Sequence, residues 1–509
     1  MRLFPMNAGQ ARARLVQAGA VLAAVALVAG CGSSYRPVVT PINSSGPASQ
    51  VSAYVVVVSS PSTTTPGIAT IIDYAGDTVL ANAPIGPGPT TFTIDQTGST
   101  GYTVNSDNTL SNFPISNLLQ AKSVLYSTLS PASQPAPPHA PVNMFSPSAG
   151  LWTADPSGSF IDYFTGSPQA FKLAIPVATS PVMIAGPSLI GQYNYSISQN
   201  IANSTGVECN IAATRASAPA GEADAIGTSI YTVSARIPLG KCPVYAVQSP
   251  DYRRFFVLNR GDDTITVINS QNNTLNACTP FLNQNGQTVT CHPKLPLSTS
   301  AGLPQDANED VPTVAGPVYA EYNAATSQLI VADYDGNAIT VIDVSLDEYG
   351  NDSSTFGATF TIPVGNNPAS VTALADGTRA YTANQADQTV TVVNLSSHTV
   401  EKTLPVNGHP RTVVSTQNST EGKVYAASPD SPYLTILRTD LDIVDTTILV
   451  QGNIVDVRVA TQTGSGGNNN TISRTPGYGQ PCLRPPTKTN QIPPPTGTET
   501  PLQACQALQ

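Results

Sequence analysis

Ile175–Pro181, Ile237–Pro243, Ile362–Pro368 and Leu404–Pro410 each read as an aliphatic residue, a proline, four residues and a second proline, and Pro84–Pro89 repeats the proline spacing. Such a spacing describes a strand end, a turn, and a proline that opens the next strand, where a missing N–H costs little. Between the copies runs a second pattern, clearest over Arg379–Lys423. There Ala380–Asn384, Thr389–Asn394, Thr399–Leu404 and Thr412–Ser415 are alternating or unbroken β-branched runs, and Asn, Asp, Gly and Pro fill the gaps. An antiparallel meander of this kind cannot bury both faces alone, so it must stack on neighbours like itself.

The head of the unit, Tyr381-Thr382-Ala383-Asn384, also recurs, as Phe256-Val257-Leu258-Asn259, Tyr102-Thr103-Val104-Asn105 and Trp152-Thr153-Ala154-Asp155. The following strand returns as Asp263–Asn269, Ala338–Asp343 and Gln388–Asn394. On these residues the chain resembles the YVTN-repeat β-propellers, strongly over Arg254–Ala460 and more weakly over Val51–Pro250. The resemblance implies an all-β chain forming a single β-propeller of four-stranded antiparallel blades. Segmentation counts eight units, with seven, frequent among related propellers, as the alternative. Each unit supplies the second, third and fourth strands of one blade and the first strand of the next. Ile454–Ala460 is therefore expected to complete the blade begun by Tyr54–Val58, so that strands from the two ends of the domain close the ring and remove its open edges.

The organisation reads as four parts. Residues 1–30 resemble an export signal: Arg12 and Arg14 precede the short apolar run Leu15–Gly30, and sixteen residues are too few for a membrane span, which needs about 20. Val28-Ala29-Gly30-Cys31 resembles a bacterial lipobox, which implies diacylation at Cys31 and an anchor in the cell envelope. The absence of Asp after Cys31 favours the outer membrane on that resemblance. An ordinary signal peptide with an incidental Cys is the alternative. Residues 31–50 form a Ser/Pro-rich tether, 51–461 the propeller, and 462–509 a Gly/Asn-rich and then Pro-rich tail. Insertions are expected at Ile201–Ala225 and Leu275–Asp310.

Beyond Cys31 six cysteines remain, and an even count behind an export signal suggests disulfides. Their layout favours sequential pairing: Cys209 with Cys242, Cys278 with Cys291, Cys482 with Cys505. No CxxC occurs and only His292 adjoins a Cys, so no metal is expected.

Charge narrows the partners. The chain carries −10, and three of its basic residues (Arg2, Arg12, Arg14) lie in the first thirty, so the remainder is more acidic still. An acidic surface repels phosphate backbones, which argues against nucleic acid as a partner. There is no G-x-S-x-G, no H-E-x-x-H, no Walker loop and no CxxCH. Asp333-Tyr334-Asp335-Gly336-Asn337 begins like a calcium loop but has Ala338 and Val344 where Gly and Glu are required, and reads instead as a polar turn. No cofactor is expected.

The candidate ligand face comes from topology. Successive connections of a meander alternate between two ends. Arg260, Asp262, Asp263, Asp333, Asp335, Asp387 and Asp430 are placed in or beside first-to-second loops, and Asn366, Asn367, His409 and Arg411 in third-to-fourth loops, two kinds of loop that share one face. Arg260, His409 and Arg411 are the first to test; solvated turn residues are the bland alternative. The resulting expectation is a monomeric, envelope-anchored, non-enzymatic propeller. It would bind a small ligand or an envelope protein through that face and the channel mouth, and touch the membrane through its lipid alone. A lactonase-like hydrolase is the alternative function, since the family resembles the propeller lactonases, and a haem- or copper-bearing redox propeller is a third.

Overall fold

The computed structural model describes residues 53–129, 141–147, 150–186, 192–204, 206–282, 286, 288–297, 315–347, 349–417 and 422–461. Residues 1–50, with Cys31, and the tail with Cys482 and Cys505 lie outside them.

The strand runs of the repeat form strands because their β-branched residues fit a pleated surface, and each run ends at a turn former. They assemble into eight antiparallel blades. Blade 7 is representative: Pro368–Ala373, Arg379–Asn384, Thr389–Asn394 and Thr399–Pro405 pair in that order. Burial gives the radial order. Pro368–Ala373 is wholly buried, whereas five of the first six positions of Thr399–Pro405 are exposed in succession, so the first strand lines the axis and the fourth forms the rim. First strands of successive blades lie side by side around the ring. Pro89, Pro181, Pro243, Pro317 and Pro368 each open one of them. Four of these are the second prolines of the repeat; Pro317 follows an insertion that hides it in the sequence.

The ring closes where expected. Asn453–Thr461 is the axial strand of blade 1 and pairs with Ala53–Ser60, with Tyr54 opposite Ala460 and Val57 opposite Val457; Pro66–Asp73 and Thr78–Pro87 complete the blade. Apolar clusters fill every gap between blades. Val57, Ile436 and Val457 join blade 8 to blade 1, and Val56, Phe92 and Phe113 join blade 1 to blade 2. Each buried Val, Ile or Phe contributes about 1.5–3 kcal/mol.

Two recurring devices fit one blade to the next. The Asn that ends the second strand (Asn105, Asn259, Asn384) donates through Nδ2 to two hydroxyls of the third strand, as Asn384 does to Thr389 at 3.0 Å and Thr391 at 2.7 Å. A glycine at or just past the end of the preceding blade's fourth strand makes room for it: a Cβ on Gly365 would lie 2.6 Å from Asn384 Cγ, and one on Gly86 or Gly240 would crowd Asn105 or Asn259 in the same way. Where the connection carries Ala178 or Asn407 instead, the Asn position holds the smaller Ser198, which ends its strand, or Ser428, just past the end of Lys423–Ala427. The two repeated motifs of the sequence are thus the two sides of one contact.

At the other face, a basic residue opening one blade's second strand reaches an Asp on the next blade. Arg254 meets Asp352 at 2.9 Å, Arg379 meets Asp442 at 2.5 Å, and Lys423 meets Asp77 at 2.6 Å. The third pair joins blade 8 to blade 1 across the closure.

The insertions are add-ons to this frame. One interrupts the outer strand of blade 5: Thr274–Leu275 and Lys294–Pro296 both pair with Thr264–Asn269, and the Cys278–Cys291 disulfide closes the excursion between them. The other leaves blade 4 after Tyr193–Ser198, forms the helix Ala212–Ser217, and returns at Ala220–Gly227; Cys209 within it is bonded to Cys242.

Candidate functional site

The loop assignment needs one correction. Counted from the axis, the turns holding Arg260, Asp262, Asp263, Asp335, Asp387 and Asp430 join second to third strands, not first to second. Asn366, Asn367, His409 and Arg411 lie between the fourth strand of one blade and the first of the next, not between third and fourth. The strand order expected from the sequence is the observed one, and it makes these turns second-to-third; only their naming was one step off. The shared face survives, because a second strand ends where a first strand begins.

On that face the blade 4 insertion gathers a cluster from three blades. The Cys209–Cys242 disulfide, with Cα atoms 5.5 Å apart, pins the insertion to the connection entering blade 5. Next to Cys209, Asn210 Oδ1 accepts from Arg260 Nη1 at 3.2 Å. Arg260 then grips Asp335 of blade 6 with a fork, Nη2 to Oδ1 at 2.8 Å and Nε to Oδ2 at 3.1 Å, and its guanidinium lies 5.3 Å from the Tyr334 ring centre. Arg215, from the insertion helix, meets the same carboxylate at 2.9 Å. Arg260 is only 3% exposed. A planar fork suits such a site because it pairs two oxygens at once and stacks on an aromatic face.

The surroundings tune these charges. Asp263 accepts from Gly316 N at 2.8 Å, and burial raises its carboxyl pKa. Gly316 has φ 58°, and a Cβ there would lie 1.9 Å from Asp335 Oδ2, so only glycine fits. Burial lowers the pKa of Arg215, and Arg260 beside it lowers it further. Asp333 is buried beneath the turn. Thr340 Oγ1 donates to it at 2.5 Å, and burial pushes its pKa up to about 8. It stands where blades 2, 5 and 7 carry Asn.

The remaining candidates sit apart from this cluster. Asp262 pairs with Lys294 at 2.9 Å. Asp387 accepts from Asn366 N at 2.6 Å and Nδ2 at 2.8 Å. His409 Nδ1 meets Asp430 at 2.5 Å and Nε2 lies 3.1 Å from Gln388. Arg411 donates to the Val455 carbonyl. Of the seven ligand-face candidates, Arg260 and Asp335 therefore meet directly, with Asp333 under the same turn, while Asp262, Asp387, His409 and Arg411 have partners of their own. Arg215, Asn210 and Tyr334 were missed. The signal for Arg215 is its place four residues past the Cys209-Asn210-Ile211 turn, but nothing in the sequence says which blade the insertion reaches. Among the described residues no three His, Cys, Asp or Glu side chains gather as a metal site, and no helix is long and apolar enough to cross a membrane.

Chemically, the cluster is a charge network: the carboxylate of Asp335 is held by two guanidiniums, the Asp263 carboxyl lies near Arg215, and Arg260 is held further by Asn210 and the Tyr334 ring. Such a network shapes and stiffens a surface.

No family model and no curated protein matches the chain. Solved structures do match in fold. Apo AztD from Citrobacter koseri aligns with a TM-score of 0.52 and 11% identity over 82% of this chain and 100% of that one. The dihydro-heme d1 dehydrogenase NirN aligns with 0.54 and 12% over 84% and 78%, and Sqt1 from Saccharomyces cerevisiae with 0.50 and 10% over 72% and 87%. At these identities the likeness concerns the fold, which unrelated functions share.

Proposed function

We propose that this protein is a non-enzymatic binding propeller, exported and held at the cell envelope by a lipid on Cys31, that recognises a ligand or an envelope protein through the face bearing the second-to-third turns. The observation that carries the reading is the blade 4 insertion. The frame closes without it, yet it is fastened at two places, by Cys209–Cys242 and by Arg215–Asp335. Fixing an extra loop over a rigid scaffold prepays the ordering cost of binding, and functional loops are commonly those a scaffold positions. Protruding charge on the same face, Asp387, Asp430 and the Asp262–Lys294 pair, supplies polar contacts around it.

The test is affinity capture from envelope extracts with the soluble domain 51–461. A variant replacing 201–217 by a short Gly/Ser loop, with Cys242→Ser, should lose the captured species, and a variant altered on the opposite face (Leu441→Asp) should keep it. Equal capture by both variants contradicts the loop-face assignment. Release from the membrane by Cys31→Ser tests the anchor separately.

A further inference from the structure

The interface between blades 3 and 4 departs from the repeat at one point. In blades 2, 5 and 7 an Asn at the end of the second strand donates to a hydroxyl two positions into the third strand: Ser111, Thr266 or Thr391. In blade 4 the strand ends in Ser198, opposite Glu222, and the place of that hydroxyl is taken by Asp224. The long and short partners have changed sides, and a carboxylate has replaced an alcohol.

Asp224 is fully buried. Ala178 N donates to its Oδ2 at 2.7 Å, but Oδ1 has no hydrogen-bond partner and lies 3.8 Å from Arg236 Nε. Ser196 stands directly opposite Asp224 in the register, and Ser198 stands on the same side of the sheet two residues on. Both hydroxyls are fully buried and without a hydrogen-bond partner. Opposed side chains on neighbouring strands are about 4.5–5.5 Å apart at Cβ, near enough for a serine to bond a carboxylate directly. Here no hydrogen bond forms between them, which leaves three buried oxygens on one side of the sheet that each need a partner. The remaining nearby charges are Glu222, already engaged by Arg236 at 2.9 Å, and Arg236 itself, which is largely exposed. Burial first, and then the neighbouring Glu222 carboxylate, raise the Asp224 pKa to about 6.

We propose that this cluster of buried oxygens is a binding site for a hard divalent cation of the calcium class, ligated by Asp224 Oδ1 and the hydroxyls of Ser196 and Ser198, with Glu222 beside it. The donor set contains only oxygen, includes carboxylate and hydroxyl groups, and has no nitrogen or sulfur, which selects calcium-like ions over zinc or copper. An ion there satisfies three orphaned oxygens at once and stiffens blade 4 at the root of its insertion, where the connection from blade 3 meets it.

The test is calcium titration of the metal-stripped full-length protein, by calorimetry and by thermal unfolding. Wild type should bind one ion per chain with a saturable rise in Tm that a chelator reverses. Asp224→Asn should abolish both responses. Because that variant removes a buried charge and alters folding by itself, Ser196→Ala, which deletes one hydroxyl, serves as the second variant and should weaken binding at least tenfold. Three outcomes overturn the proposal: no uptake by wild type, an undiminished response in both variants, or stabilisation on acidification through pH 6 with no calcium effect, which makes a proton the occupant. A response to Na⁺ but not to Ca²⁺ overturns the divalent assignment.

Discussion

Arg260 of blade 5 holds Asp335 of blade 6 through two N–H···O bonds, and Arg215 of the blade 4 insertion closes on the same carboxylate. Three blades thereby share one charge. Arg260→Ala should cost about 1–3 kcal/mol in chemical denaturation. That is less than the 3–5 kcal/mol of a fully buried broken pair, because Arg215 remains and Asp335 is partly exposed. The insertion should also come loose in stages. Reducing Cys209–Cys242 in wild type should leave residues 201–217 resistant to protease, whereas reduction of Arg215→Ala/Arg260→Ala should expose them. Equal cleavage of the two reduced proteins would show that the ion pairs do not hold the insertion.

The contact between Gly365 and Asn384 predicts a compensating pair. Gly365→Ala places a methyl against Asn384 Cγ and should destabilise by about 1–3 kcal/mol. Adding Asn384→Ser, the combination used at Ala178 and Ser198, should recover part of that loss. A double-mutant cycle with coupling below about 0.5 kcal/mol would mean the two motifs are independent.

Asp333 makes stability fall as pH rises. Its carboxyl is raised from the ordinary range near 4 to about 8, so the native state holds the proton more tightly than the unfolded chain. The stabilising protonated form is lost progressively between about pH 4 and 8. Asp333→Asn restores the amide that blades 2, 5 and 7 carry and can still bond Thr340. It should flatten the pH dependence and stabilise the protein at pH 8 by about 1–3 kcal/mol. A variant with an unchanged slope of Tm against pH would rule out Asp333 as its source.

Arg379 and Asp442 clamp blade 7 to blade 8, and Tyr381 also donates to Asp442, at 2.5 Å. Asp442→Ala removes the acceptor from both and should cost about 2–4 kcal/mol, more than Arg379→Ala, which leaves the Tyr381 bond in place. The reverse order would mean that the tyrosine bond contributes little.

Blade number, strand order and closure were legible because each rests on a local signal repeated many times: the proline spacing, the terminal Asn and the β-branched runs. The two described disulfides were legible because Cys278 and Cys291 bracket one insertion, and Cys209 lies in the other with Cys242 at the base of the same blade. The loop numbering was the slip: with Ala380–Asn384 as a second strand, the turn before Thr389–Asn394 is already a second-to-third turn. The Arg215–Asp335 contact was not legible, because its residues come from blades two apart and no pattern in a single strand encodes where an insertion lands. The Asp224 cluster was equally hidden: the sequence shows Ser198 and Asp224, but only the register shows that they stand where an Asn and a serine or threonine stand elsewhere.

Every feature above depends on one closed ring, and closure rests on Asn453–Thr461 pairing with Ala53–Ser60. The most direct measurement is thermal unfolding of two deletions beside wild type. Removing 451–461 strips blade 1 of its axial strand, with Val457 and Ala460 from its core, and opens a sheet edge, so the protein should aggregate or melt far earlier. Removing 462–509 should leave Tm nearly unchanged. Equal tolerance of both deletions would contradict the closed ring.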